Sequence, residues 1–130
     1  MTKFGKRPLD PFAAAVTAFL VPGAGHMLLG RKQKALLFFC LIVATFLAGW
    51  FISGCENVYF ARGRWHTLVQ MGAGVITFII GLPGTAPEPG RTVMHTFEIG
   101  TLYTMVAGLL NVLVVMDAVV TSIRLRRTTA

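Results

Sequence analysis

The sequence has few charged residues for its length. Asp, Glu, Lys and Arg together make up 13% of the 130 residues, whereas hydrophobic residues make up 55%. A soluble domain of this size has about twice that charged fraction, because its large surface must be covered with polar groups. The scarcity of charge therefore argues against a soluble globular protein, and a lipid bilayer is the simpler solvent.

Acidic residues are scarcer still, with five Asp and Glu against twelve Lys and Arg. A basic balance can indicate nucleic-acid binding. Here the cations form short clusters beside apolar runs, at residues 3–7, 31–34, 62–64 and 124–127. This pattern is typical of membrane proteins that use cations to fix their orientation and hold anionic lipid headgroups. We therefore expect the lipid bilayer, anionic headgroups and other membrane proteins or a second copy as partners, and no nucleic acid.

Cysteine is also scarce, and the motifs of common catalytic and metal sites are missing. Cys40 and Cys55 would lie about 22 Å apart along one helix, beyond the reach of a disulfide. The sequence has no glycine-rich phosphate loop, no HExxH and no CxxC, and its serines have no evident base partner. We therefore expect no disulfide, no cofactor, no metal site and no enzymatic activity.

Apolar segments are abundant, and four of them approach the length of a membrane span. Segments 35–54 and 101–123 are long enough, and 66–82 lies near the lower limit. The remaining segment, 10–30, is interrupted at Pro22-Gly23, where proline and glycine favour a turn or a kink. We therefore predict an all-α membrane protein of one domain, residues 1–130. Its fold is a four-helix transmembrane bundle with the first helix broken at Pro22-Gly23.

The first segment has two alternative interpretations. Its basic start, apolar middle and small residues resemble a signal peptide, but a good cleavage site is lacking, so we expect no cleavage. The segment could also enter and leave the membrane on one side as a re-entrant hairpin. The distribution of Lys and Arg favours four spans with both termini in the cytoplasm, although residues 31–34 then lie outside.

Asp117 is the most informative single residue, because it lies within an apolar segment. An unpaired carboxylate inside a membrane costs about 3 kcal/mol, so Asp117 should face protein and have a partner. In the four-span topology the candidate partners are Arg62, Arg64 and His66, whereas His26 lies at the opposite face. We favour a structural ion pair, with a proton relay as the alternative.

His26 and Arg31 follow the interruption at Pro22-Gly23. His26 could be a proton-sensitive or metal-binding group. Because no second ligand stands at helical spacing, we favour a capping or interfacial histidine bonded to a free carbonyl group. Arg31, together with Lys32 and Lys34, is interpreted as an anchor for lipid headgroups.

Small residues recur at every fourth position of the last segment, at Gly100, Thr104 and Gly108, and Asn111 follows. Such a stripe lets another helix approach closely. Thr104 and Asn111 share a helix face, so they could line a polar path or bond across a helix interface. We favour helix packing for the stripe and keep Asn111, with Asp117, as a candidate functional residue.

The stretch PGAGHMLLGRKQKALLFF, residues 22–39, resembles the signature of the two-transmembrane-domain superfamily. There a glycine-rich turn, a histidine and a basic residue join two apolar helices, and Gly23, His26 and Arg31 occupy those positions. Met27-Leu28 replaces the aromatic residues that the superfamily prefers. The chain is more similar to uncharacterised bacterial membrane proteins that pair VPGxGHxxLGR, here 21–31, with YTxVAGLLNxLxxxDA, here 103–118. This resemblance implies a multi-pass protein of the bacterial inner membrane and no established activity.

Three functions follow from these patterns. With 130 residues and little sequence outside the apolar segments, we favour a non-enzymatic accessory or assembly component of a larger membrane complex. The alternative is a small oligomeric transporter or channel, in which Asn111 and Asp117 would line a shared aqueous path. A membrane enzyme that acts on lipid headgroups ranks last. It would need His26 and a second titratable group at one open pocket.

Overall fold

The computed structural model describes residues 10–58, 65–83 and 94–129. The described residues form six α-helices: α1 (Pro11–Leu20), α2 (Ala24–Leu28), α3 (Lys32–Ile52), α4 (Trp65–Met71), α5 (Val75–Gly81) and α6 (Met94–Thr129). The all-α prediction is therefore confirmed. Among these helices, α3 and α6 are the two that are long and apolar enough to cross a bilayer.

The antiparallel pair α3 and α6 forms the frame of the molecule. The two helices contain 21 and 36 residues, equivalent to about 32 and 54 Å of helix. They touch near one end, where Gly49 faces Gly100. A Cβ atom on Gly49 would lie 2.6 Å from the Gly100 carbonyl oxygen. The two backbones can therefore meet only because side chains are absent at this point.

The four short helices form two units of the same design. In each unit a helix is followed by three turn residues, and the last of these is a glycine with positive φ that starts the next helix. These glycines are Gly23 (φ 81°), between α1 and α2, and Gly74 (φ 79°), between α4 and α5. Glycine adopts such angles without the steric cost that a Cβ brings. Segments 10–30 and 66–82 are therefore pairs of short helices.

The first unit, α1 and α2, enters and leaves at the same end of the frame. Its start lies beside the end of α6, where Arg126 Nη2 is 3.1 Å from Asp10 Oδ1. The end of α1 reaches Asn111 in the middle of α6. After the turn, α2 brings His26 back to Asp117. The unit is therefore a hairpin along α6, and it is re-entrant in the sense that the chain returns to the end of the frame at which it started.

The predicted four-span topology is not confirmed, and the arrangement of the first segment differs from it. It placed His26 and Asp117 at opposite faces and residues 31–34 opposite the termini. In the structure the start of α3 lies beside the end of α6, where Arg31 and Arg124 line one pocket. The ten residues of α1 extend only about 15 Å, and the glycine turn then reverses the chain.

The second unit, α4 and α5, packs on the other half of α6 through α4. Gln70 in α4 donates to Thr104 Oγ1, at 2.8 Å. The Thr77 hydroxyl donates to the Gln70 carbonyl oxygen at 2.6 Å, although seven residues of continuous helix would separate them by about 10 Å. The chain therefore reverses at this turn too. The two turns meet, since a Cβ atom on Gly74 would overlap the Phe19 carbonyl oxygen.

The interior is small, and much of the apolar surface faces outward. One cluster of buried apolar side chains lies between α6 and its neighbours and contains Ile42, Phe46, Val58, Ala73, Ala107 and Val114. Leu36, Leu37, Leu113 and Met116 on the frame helices are at least 60% exposed. A surface of large exposed apolar side chains is unfavourable in water and matches the hydrocarbon of a bilayer.

Candidate functional site at the His26 and Asp117 pair

A buried histidine and a half-exposed carboxylate form a direct contact between α2 and α6. His26 Nε2 lies 2.7 Å from Asp117 Oδ2. The His26 side chain is fully buried, whereas that of Asp117 is 47% exposed. The two residues are 91 positions apart in sequence. The re-entrant turn therefore creates the pair, with its imidazole inside the fold and its carboxylate at the surface.

Small residues around α2 allow the imidazole to reach this position. Gly25 packs between α1 and α6, where a Cβ atom would lie 2.7 Å from the Ala14 carbonyl oxygen and 3.1 Å from the Ala118 Cβ. On the remaining side, the Phe38 ring meets the His26 ring edge-on at a centroid distance of 5.2 Å. The close approach of α2 to α1 and α6, together with the Phe38 ring, leaves the imidazole fully buried.

The other ring nitrogen of His26, Nδ1, is buried without a hydrogen-bond partner among the described residues. A bare lone pair costs less to bury than an unpaired N–H group. The proton therefore belongs on Nε2, which donates it to the carboxylate. This arrangement can hold a proton between two helices, and it can equally fix α2 against α6.

Asp117 lies at the edge of a cationic pocket between the start of α3 and the end of α6. The pocket has a volume of about 200 Å³ and is lined by Arg31, Lys34, Asp117, Thr121, Arg124, Leu125 and Thr128. None of the three cations forms an ion pair with a carboxylate among the described residues. The pocket therefore carries a net positive charge, which suits a phosphate or carboxylate group.

On its apolar side Asp117 also borders a groove between α3 and α6. The groove has a volume of about 270 Å³ and is lined by Phe38, Leu41, Ile42, Leu110, Leu113, Val114 and Asp117. Apart from the carboxylate, every lining side chain is apolar. Asp117 therefore marks the boundary between a cationic surface and an apolar surface.

Asn111 lies in the interior and connects the turns of both re-entrant units. Its Nδ2 donates to the Gly72 carbonyl oxygen at 2.8 Å and to the Phe19 carbonyl oxygen at 3.2 Å. Carbonyl groups at a helix end lack donors within the helix. The side-chain amide of Asn111 donates to two such carbonyl groups. Its Oδ1 is buried without a partner among the described residues.

The stripe Gly100, Thr104 and Gly108 lies on the buried face of α6 and contacts two elements. Gly100 faces α3, whereas Gly108 faces α4. Thr104 Oγ1 accepts hydrogen bonds from Gln70 at 2.8 Å and from Asn57 at 3.1 Å. The small residues therefore bring the backbones of α3 and α4 close to α6, and the Thr104 hydroxyl binds α4 and the segment that follows α3.

Comparison with known protein families assigns the chain to one of them. Residues 13–129 match a family of unknown function, DUF6677. The chain belongs to DUF6677. Comparison with curated proteins gave no match, and comparison with solved structures gave none either. Membership of DUF6677 agrees with the expected likeness to uncharacterised proteins, whereas the resemblance to the two-transmembrane-domain superfamily is not confirmed.

Within this DUF6677 chain, the partner of Asp117 differs from those predicted. Arg62 and Arg64 lie outside the described residues, and His66 belongs to α4, which packs on the other half of α6. The predicted topology excluded His26 as the partner, because it continued the chain through the break at Pro22-Gly23 and placed His26 at the opposite face from Asp117. Among the described residues, no three His, Cys, Asp or Glu side chains come together as metal ligands.

Two residues that bond to Thr104 were not predicted from the DUF6677 sequence. Gln70 interrupts an otherwise apolar segment, and an isolated polar residue in such a segment is a signal of a helix–helix contact. Asn57 lies between α3 and α4, where polar residues are common and carry no such signal.

Proposed function

We propose that this protein is an integral, multi-pass component of the bacterial inner membrane, with α3 and α6 as its spans. In this proposal both termini and residues 31–34 face the cytoplasm. The protein acts without catalysis, as an accessory or assembly component of a larger membrane complex. The observation that carries the proposal is the apolar antiparallel pair with cations at one end.

The distribution of Lys and Arg among the described residues supports the proposed orientation of α3 and α6 in the membrane. Six lie at the start of α3 or the end of α6: Arg31, Lys32, Lys34, Arg124, Arg126 and Arg127. At the opposite end of the pair, the described residues include Glu56 and Glu98 and no Lys or Arg. Because Lys and Arg accumulate on the cytoplasmic side of membrane proteins, the end with the six cations is assigned to the cytoplasm.

The accessory role is supported by the packed interior and by the exposed apolar side chains of α4 and α5. Asp117 is paired with His26, as expected for a packed protein. Leu68 on α4 and Ile79 on α5 are exposed by 69% and 64%. Helices of a partner protein can pack against such short elements, because the non-helical backbone between them must be covered by protein at membrane depth.

Affinity purification of the tagged full chain in a mild detergent tests the accessory role. Quantitative mass spectrometry should find a membrane protein, or a second copy of this chain, at constant stoichiometry. A tagged, unrelated protein with two spans is the control for non-specific capture. Recovery of a monomer with lipid alone would contradict the accessory role.

Transport is the second candidate, and a specific observation favours it. The side-chain oxygens of Asn57, Gln70 and Asn111 are buried without partners among the described residues. Together with His26 and Asp117 they follow α6 from one half to the other. Purified protein in liposomes containing a pH-sensitive dye would distinguish the two functions. Proton flux that Asp117→Asn abolishes would favour transport, whereas the accessory role predicts no flux.

A further inference from the structure

We infer that the cationic pocket and the apolar groove form one binding site for a single anionic phospholipid. The phosphate group lies in the pocket beside Arg31 and Arg124, and one acyl chain lies in the groove beside Leu113. The inference rests on the proposed membrane location. It adds a defined ligand site to the general affinity for anionic headgroups.

The pocket has the charge and the donors that a phosphate group requires. Two guanidinium groups and one ammonium group, from Arg31, Arg124 and Lys34, belong to its lining residues. Arginine binds phosphate through paired N–H donors, and lysine adds a point charge. Because these cations form no ion pairs with described carboxylates, a phosphate group would supply a missing counter-charge.

Asp117 is a positioning residue in this site. Its Oδ2 accepts the hydrogen bond from His26, which holds the carboxylate at the junction of pocket and groove. Arg31 and Lys34 are near enough to interact electrostatically with it. The carboxylate therefore draws both cations toward the junction, while the three cations together exceed its charge.

The groove continues from the pocket in the direction that an acyl chain would take. It extends from Asp117 to Leu110 on α6, about 10 Å along the helix. In the proposed orientation this direction leads from the cytoplasmic surface toward the centre of the bilayer. A ligand with an anionic head and an apolar chain matches both parts of the site, whereas free phosphate matches only the pocket.

Native mass spectrometry of the purified full chain tests the site. The protein is mixed with phosphatidylglycerol, phosphatidylcholine or diacylglycerol at defined concentrations. We expect one tightly held phosphatidylglycerol, with an affinity at least about ten-fold above those of the other two lipids. Equal binding of all three lipids would overturn the inference.

Matched variants separate the site from general electrostatic attraction. The double variant Arg31→Gln/Lys34→Gln should lower the affinity for phosphatidylglycerol at least about ten-fold. Arg126→Gln/Arg127→Gln removes the same charge outside the pocket lining and should change the affinity by less than about two-fold. Equal losses in both variants would show non-specific attraction and overturn the inference.

A second pair of variants tests whether the groove holds an acyl chain. Leu113→Trp fills the groove, whereas Leu109→Trp alters an exposed side chain of α6 that does not line it. Only Leu113→Trp should weaken lipid binding. Soluble glycerol phosphate that competes as strongly as the lipid would show a headgroup site without a lipid chain and overturn the inference.

Carbonate extraction of cell membranes tests the membrane location separately. A protein that carbonate releases from the membrane would contradict the proposed function, whichever lipids bind.

Discussion

Single polar side chains connect helices that are distant in sequence. His26 and Asp117 join α2 to α6, and Asn111 joins α6 to the ends of α1 and α4. Water cannot satisfy backbone and side-chain groups in an apolar environment, so these bonds must be made within the protein. Each residue can be tested by substitution against a matched residue that lacks such contacts.

We expect Asp117→Ala to lower the free energy of unfolding by about 1–3 kcal/mol, because the buried Nε2–H group of His26 loses its acceptor. The control is Asp10→Ala, which removes an ion pair whose side chains are 63% and 44% exposed and should cost less than about 1 kcal/mol. Unfolding of the purified protein in detergent gives both values. Equal losses would contradict a structural role for the buried pair.

Replacement of Asn111 by leucine should lower the free energy of unfolding by about 1–2 kcal/mol. The carbonyl oxygens of Gly72 and Phe19 would lose their donor, and a hydrogen bond between membrane helices contributes about this much. Val112→Leu changes the neighbouring exposed position and serves as the control in the same unfolding assay. Unchanged stability in Asn111→Leu would show that the amide does not hold the turns.

At the scale of elements, the two re-entrant units determine the arrangement of the chain. The break at Pro22-Gly23 could be predicted, since proline and glycine act on their own backbone. The reversal at that break could not, because a kinked span and a hairpin use the same residues at the turn. The choice depends on contacts with α3 and α6, such as that between Gly25 and Ala118.

Two glycines with positive φ but different surroundings provide a test of the turns. Gly74 (φ 79°) lies against the carbonyl oxygens of Phe19 and Leu20, whereas nothing lies within 4 Å of a Cβ atom on Gly30 (φ 81°). Gly30→Ala bears a positive-φ backbone cost of about 1–2 kcal/mol, whereas Gly74→Ala bears a larger one, because φ 79° with ψ −146° is a region that essentially only glycine adopts. Only Gly74→Ala should add a steric overlap, which separates the two units and lowers stability further.

The thermal midpoint and the yield of monodisperse protein measure this difference. Gly30→Ala should fold with a modest loss of stability. Gly74→Ala should lose several times more, or give little folded protein. Equal midpoints for the two variants would show that the turns of α1–α2 and α4–α5 do not meet.

At the scale of the whole molecule, and in the proposed membrane orientation, the re-entrant first unit changes which surfaces share one side of the membrane. The basic clusters at 31–34 and 124–127 were predictable as clusters from the sequence. Their meeting at one pocket depends on the number of times that the chain crosses before residue 31. One crossing more would place them on opposite sides, and the pocket would not exist.

Labelling of single cysteines with a membrane-impermeant maleimide tests this arrangement in cells. Cys40→Ala retains Cys55, which is exposed beyond the end of α3 and should react from outside the cytoplasmic membrane. In a variant that also carries Cys55→Gly, a cysteine at Gln33 or Thr128 should react only in inverted vesicles. Wild-type Cys40 lies in the middle of α3 and should stay unlabelled. Reaction of Gln33→Cys from the outside would restore the four-span topology.

By itself the sequence determined the properties that depend on nearby residues. Its apolar segments are helical, the first segment breaks at Pro22-Gly23, and the cations flank the apolar runs, because hydropathy and backbone preference act over a few positions. Only the tertiary structure decided that His26 meets Asp117 and that Asn111 holds both turns. Those contacts span up to 92 residues, and they depend on the direction of the chain after each turn. That direction is determined by packing between helices.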